Sequence, residues 1–190
     1  RLREVDPVGH AVRLLCSPDV ADVRADIDPE VDIAVVNTEL ILADLAAVER
    51  RRDRIAKAAK TGDRDKAREL ELLEKVAAEL DREVPVRRMA LSPHEEEIVS
   101  GLFLLTAKPV IYVANLGEEQ LGEDGPMLRA VRDIAASEGA GMVAFSARLE
   151  AEIEDLEPDE VEEFLEAYGI ESLGLEEFTS RCYSLLGLIT

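Results

Sequence analysis

Asn115 and Glu118 stand three positions apart, directly after the apolar run Val110-Ile111-Tyr112-Val113-Ala114. A primary amide carries donors and an acceptor, whereas a carboxylate only accepts. On a short loop the two suit hydrogen-bond matching to a small ligand. The run before them reads as a buried strand. An open α/β domain binds its ligand at this place, outside the carboxyl end of a parallel strand. A second polar loop, Ser146-Ala147-Arg148, follows the next apolar run, Met142 to Phe145.

The elements that must position these loops can be read along the chain. Gly9 to Cys16 is expected to be a strand. Residues 18 to 32 read as a loop with one short strand at Val20 to Val23. Asn37 or Thr38 is expected to cap a long helix. Its residues Ile41, Leu45, Val48, Arg52, Ile55 and Ala59 follow a heptad spacing. Thr61-Gly62-Asp63 stops that helix and caps another, with Lys66, Leu70, Leu73, Ala77 and Leu80 on its seam. Two such helices joined by a tight turn form an antiparallel hairpin, a coiled coil roughly 30 Å long. Ser92-Pro93-His94-Glu95 starts a further helix. Asp124-Gly125-Pro126 starts another, ended by Gly139, and three helices follow Ser146. Strands alternating with helices imply an α/β fold with a parallel sheet of three or four strands.

The chain has 22 basic and 42 acidic residues, a formal net charge of −20. That balance argues against sequence-independent binding to nucleic acid by the molecule as a whole, and no DNA partner is expected. The bases are concentrated in one place. Residues 50 to 68 hold Arg50, Arg51, Arg52, Arg54, Lys57, Lys60, Arg64, Lys66 and Arg68, against Asp53, Asp63 and Asp65. They fall at the expected tip of the hairpin, where they would contact an anionic surface. No apolar run approaches the roughly 20 residues of a membrane helix, so no membrane partner is expected. Cys16 and Cys182 have no ligand-like spacing and read as reduced thiols of a cytoplasmic protein. His10 and His94 are isolated and are expected in a strand and in a helix's first turn.

Strand, N-x-x-E, helix, strand, S-A-R is an order that resembles the base-binding half of a GTPase. There the Asn amide holds N7 of the base and a Lys stem lies over the ring. An Asp carboxylate accepts from the guanine N1–H and 2-amino group. Leu116 stands for that Lys and Glu118 for that Asp. Adenine offers neither donor, and its N1 is an acceptor. ATP is therefore expected to bind at least as well as GTP.

The segment Val35-Val36-Asn37-Thr38-Glu39-Leu40-Ile41-Leu42-Ala43-Asp44-Leu45, the basic hairpin, and Leu104 to Asn115 together resemble the YchF family of Obg-like ATPases, P-loop NTPases of the TRAFAC class. Arg3-Glu4-Val5-Asp6 and His10-Ala11-Val12-Arg13 resemble family segments too, although Leu14-Leu15-Cys16 departs from the usual Cys-Phe. The resemblance implies a P-loop NTPase sheet interrupted by a helical hairpin, ATP hydrolysis with Mg²⁺, and association with the ribosome or its RNA through Arg50, Arg51, Arg52, Arg54, Lys57 and Lys60. It places the base at Asn115, Leu116 (chiefly through its backbone) and Glu118, with Ser146 and Ala147 behind. Arg148 departs from the family's Lys. It also implies a partial nucleotide domain at 1–37 and 92–190 and an arm at 38–91. The sequence holds no G-x-x-x-x-G-K-[S/T]. Phosphate-side and metal-binding parts, and a C-terminal TGS domain, are expected outside these residues, with no catalytic residue within them. A non-hydrolytic hairpin module that binds RNA or protein is the alternative.

Overall fold

The computed structural model describes residues 7–15, 27–60, 63–154, 156–170 and 172–188. The expected strand at Val20 to Val23, residue Cys16 and the Thr61-Gly62 turn lie outside them. Among the described residues, contacts divide the chain into a helical unit, Ala34–Pro109, and a sheet unit, Pro7–Ile33 with Val110–Thr190.

The sheet unit contains β1 (Val8–Arg13), β2 (Val110–Asn115) and β3 (Gly141–Phe145), with α4 (Pro126–Glu138), α5 (Ala147–Ile153), α6 (Pro158–Tyr168) and α7 (Gly174–Leu185). The strands are parallel and ordered β1-β2-β3. Their register sets Arg13, Asn115 and Phe145 side by side, so all three carboxyl ends fall at one edge. Tyr112, Ala114, Val12 and Leu14 are buried with Leu128, Val131 and Ala135 of α4. The Tyr112 hydroxyl escapes the unsatisfied burial that would destabilise it by donating to Glu138 Oε2 at 2.9 Å. Gly139 ends α4 at φ 63°, a left-handed position that suits glycine.

The helical unit is built on α1 (Pro29–Lys60) from Ala34 onward, α2 (Arg64–Leu80) and α3 (Pro93–Ser100). The helix α1 begins earlier than expected. Asp28 Oδ1 accepts the N–H groups of Glu30 and Val31 at 3.1 and 3.2 Å, and Pro29 occupies the first turn. Asn37 and Thr38 are therefore interior helical residues rather than caps, and the Thr38 hydroxyl bonds back to the Ala34 carbonyl at 2.8 Å. On α2, Asp63 accepts from the Asp65 and Lys66 amides as a cap. Leu73 and Leu80 are buried and Leu70 and Ala77 partly buried as expected, and Glu69, Leu72 and Val76 widen that inward face, while Lys66 turns instead to Glu69. They pack with Ile41, Val48 and Ile55 of α1, giving a helical hairpin. Ser92 and Glu95 form the expected capping box on α3.

The sequence sets the arm at 38–91, whereas the helical unit runs on to Pro109. The reason is packing: Val99 and Leu104 join the same apolar cluster as α1 and α2. Asp44, fully buried, also accepts the Leu105 and Thr106 amides at 2.9 and 2.7 Å. A carboxylate so placed satisfies two donors at once. Thr106 in turn accepts the Val86 N–H at 3.1 Å.

Candidate functional site

At the carboxyl edge of the sheet the two polar loops meet. Both continue the ladder for one more residue. Leu14 N–H donates to the Asn115 carbonyl and Leu116 N–H to the Phe145 carbonyl, each at 2.9 Å. The Asn115 side chain then crosses between them: its Oδ1 accepts the Ala147 N–H at 3.1 Å. This leaves the Asn115 amino group, a pure donor, for an acceptor on a ligand. Asn115, Ser146 and Ala147 are thus brought together as the sequence led us to expect.

Leu116 is 4% exposed and belongs to the apolar core. Its side chain is not available to lie over a flat ligand as a long basic stem would. Its N–H is committed to Phe145, and among the described residues nothing donates to its carbonyl. Ser146 is buried, and its hydroxyl caps α5 by accepting the Leu149 N–H at 3.5 Å.

Glu118 opens a short 3-10 turn, Glu118–Gln120. Gln120, not singled out by the sequence, fastens that turn. Its Oε1 accepts the Gly117 N–H at 2.7 Å and its Nε2 donates to the Leu14 carbonyl at 3.1 Å. The signal was present as a Gln three residues after the loop Gly, the spacing of a capping box. The Glu118 carboxylate lies 3.3 Å from Arg148 Nε, which also meets Glu152 at 3.1 Å. Those two carboxylates, Glu152 first, raise the Arg148 guanidinium above its ordinary value.

The basic cluster of the helical unit is less uniform than its composition. Arg51 Nε donates to Glu69 Oε1 and Lys66 Nζ to Glu69 Oε2, both at 2.6 Å. Burial pushes the Glu69 carboxyl up, but the bonds from Lys66 and Arg51 outweigh it and hold it below the usual range. Arg52 lies 3.8 Å from Asp53. Arg50, Arg54, Lys57 and Lys60 are exposed and make no ion pair among the described residues. Arg50, Arg51 and Arg54 line an open groove of about 690 Å³ with His94 and Glu97. Both histidines sit where expected, His94 in the first turn of α3 and His10 on β1 against the Tyr112 ring at 5.3 Å. Cys182 is free and half-buried, and burial raises its thiol. Among the described residues no helix is long and apolar enough to cross a membrane.

No family model matches the chain. Individual proteins do. The chain is 42% identical over 189 residues to the ribosome-binding ATPase YchF of Haemophilus ducreyi. It is 38% identical over 191 residues to that of Bacillus subtilis, and 40% over 189 residues to that of Escherichia coli O157:H7. Each alignment covers 100% of this chain and 52% of the relative, so the chain spans about half the length of the curated relatives it matches. The solved structure of the Schizosaccharomyces pombe YchF GTPase matches 97% of this chain and 51% of its own, with a TM-score of 0.85 at 27% identity. Along its whole length the chain is similar in sequence to these YchF proteins, and its parallel sheet with a helical hairpin matches the fold of the YchF GTPase.

Proposed function

We propose that this chain carries the base-recognition side of an ATP-hydrolysing, ribosome-associated NTPase, and that the phosphate-binding loop lies in polypeptide outside these residues. The observation that carries this is the Asn115–Ala147 bond, which locks the N-x-x-E and S-A-R loops into one site at the sheet's carboxyl edge. The donor set there suits a purine. The Asn115 amino group can reach N7, and the Leu116 carbonyl can accept from the 6-amino group of adenine. Guanine presents a carbonyl oxygen at that position and gains nothing from a second acceptor. ATP is therefore bound at least as well as GTP.

Hydrolysis requires more than base recognition. Its transition state is stabilised by groups on the phosphates and by Mg²⁺. Among the described residues no cluster of three or more His, Cys, Asp or Glu could hold a metal ion. Mg²⁺ is accordingly assigned to no residue of this chain, and no catalytic step is derived through it. Ribosome association is assigned to the exposed bases Arg50, Arg54, Lys57 and Lys60, whose partner would be a phosphate-rich surface. The names of the relatives support ATP hydrolysis and ribosome binding as the activities, and the placement on these bases rests on their exposure and charge.

Titration of the full-length protein with ATP and GTP tests the base assignment; a strong guanine preference contradicts it. The purified 190-residue chain is expected to show no ATP turnover, and measurable turnover contradicts the placement of the phosphate site elsewhere.

A further inference from the structure

We propose that Arg148 is a specificity-determining residue, which turns the Glu118 edge of the base site from an acceptor into a donor. The proposal rests on the base-site assignment above and deepens it. Taken alone, the Glu118 carboxylate would be an acceptor-only group facing the ligand, able to receive the N1–H and 2-amino hydrogens of guanine. It does not stand alone. Arg148 Nε lies 3.3 Å from Glu118 Oε1.

Both partners of that pair are mounted on fixed backbone. Glu118 starts the 3-10 turn that Gln120 fastens to Gly117 and Leu14. Arg148 follows Ala147, whose amide is held by Asn115, and sits in the first turn of α5 beneath the Ser146 cap. Glu152, one turn further along α5, holds the same guanidinium at 3.1 Å. A planar guanidinium can bridge two carboxylates and still present remaining N–H groups, whereas a lysine is a single mobile point charge. With Glu118 engaged, a purine meets a donor at this edge. Adenine N1 is an acceptor and matches it. The N1–H and 2-amino group of guanine are donors and do not.

Arg148 is largely exposed, with side-chain exposure of 77% against 32% for Glu118. A pair of this kind contributes little to stability. Its effect is on which base is accepted, because specificity is a difference between two affinities and a mismatched donor counts against only one of them.

The test is equilibrium titration of the full-length protein with ATP and GTP, for wild type, Arg148→Ala, Arg148→Lys and Asn115→Ala. Arg148→Ala is expected to shift the ratio of ATP to GTP affinity about tenfold toward GTP, since Glu118 is released. Arg148→Lys should lie between the two. Adding Glu118→Ala to Arg148→Ala should remove the gain in GTP binding. A merely structural role would lower both affinities together and leave the ratio unchanged. A ratio within twofold of wild type in Arg148→Ala, while Asn115→Ala still loses affinity, overturns the role of Arg148 alone. A wild type that binds neither nucleotide overturns the base site and the proposal with it.

Discussion

In the sheet unit, Asn115, Gln120 and Ser146 each accept from a backbone amide of the loops or of the first turn of α5, and each bond is local to one edge of three strands. In the helical unit, Glu69 of α2 gathers Arg51 and Lys66, while Arg50, Arg54, Lys57 and Lys60 project from α1 without an ion pair among the described residues. The two arrangements answer different demands. In the function proposed above, reading a base would need donors and acceptors placed to a few tenths of an ångström, which held side chains supply. Attraction to phosphate is long-ranged and tolerant of side-chain motion, so exposed charges on a stiff helix suffice. Asp44 shows that the helical unit is capable of the first kind of precision, and it spends it on its own amides.

Substitutions can break this contrast. The largest expected effect is at Asp44. Asp44→Ala leaves two buried amides without an acceptor, and loss of about 3 kcal/mol is expected in urea unfolding followed by helical circular dichroism. A loss below about 1 kcal/mol would contradict the role given to the carboxylate.

Next in size is the basic face. Combined Ala substitution of Arg50, Arg54, Lys57 and Lys60 should weaken ribosome co-sedimentation about tenfold at low salt and flatten its salt dependence. Arg51→Ala should behave differently, disturbing the helical unit through Glu69 rather than acting on the partner alone. Equal effects from Arg51 and Arg54 would erase the distinction between held and free charges.

The smallest effect concerns pH. The Lys75 ammonium first, then the Ser92 amide and hydroxyl, hold the Glu95 carboxyl at about 2, down from 4.5. A depressed carboxyl stabilises the folded state above its unfolded value and loses that contribution as pH falls through the folded one. The Glu95 share is therefore full above about pH 4.5 and is lost on approach to about 2. Glu95→Gln should flatten acid unfolding in that window, and an unchanged pH profile would refute the stabilisation of the Glu95 carboxylate by Lys75.

Parts of this were legible in the residues and parts were not. The carboxyl ends of β2 and β3 and the Ser92 and Asp63 caps follow from local signals, whereas β1 runs over Val8–Arg13 rather than Gly9 to Cys16, and the pairing of the two loops is what the resemblance implies. The start of α1 was misjudged because Asp-Pro at 28 and 29 is both a turn signal and a helix start, and the apolar run after it fits either period. The inward face of α2 is wider than the heptad seam predicts, because it also takes in Glu69, which is paired with Lys66 and with Arg51, 18 positions away. Asp44 reaches across 61 and 62 positions to its amides, and Arg148 meets Glu118 from another loop. No local periodicity records pairs of that kind, because they exist only once the chain has folded.

The claim at the centre of this account is that Asn115 organises a purine site. Calorimetric titration of ATP into the full-length protein and its Asn115→Ala variant tests it most directly. The side chain both ties Ala147 and offers N7 a donor, so the variant should bind ATP about 30-fold more weakly, a loss of about 2 kcal/mol, while keeping its secondary structure. Affinity within threefold of wild type would contradict the claim.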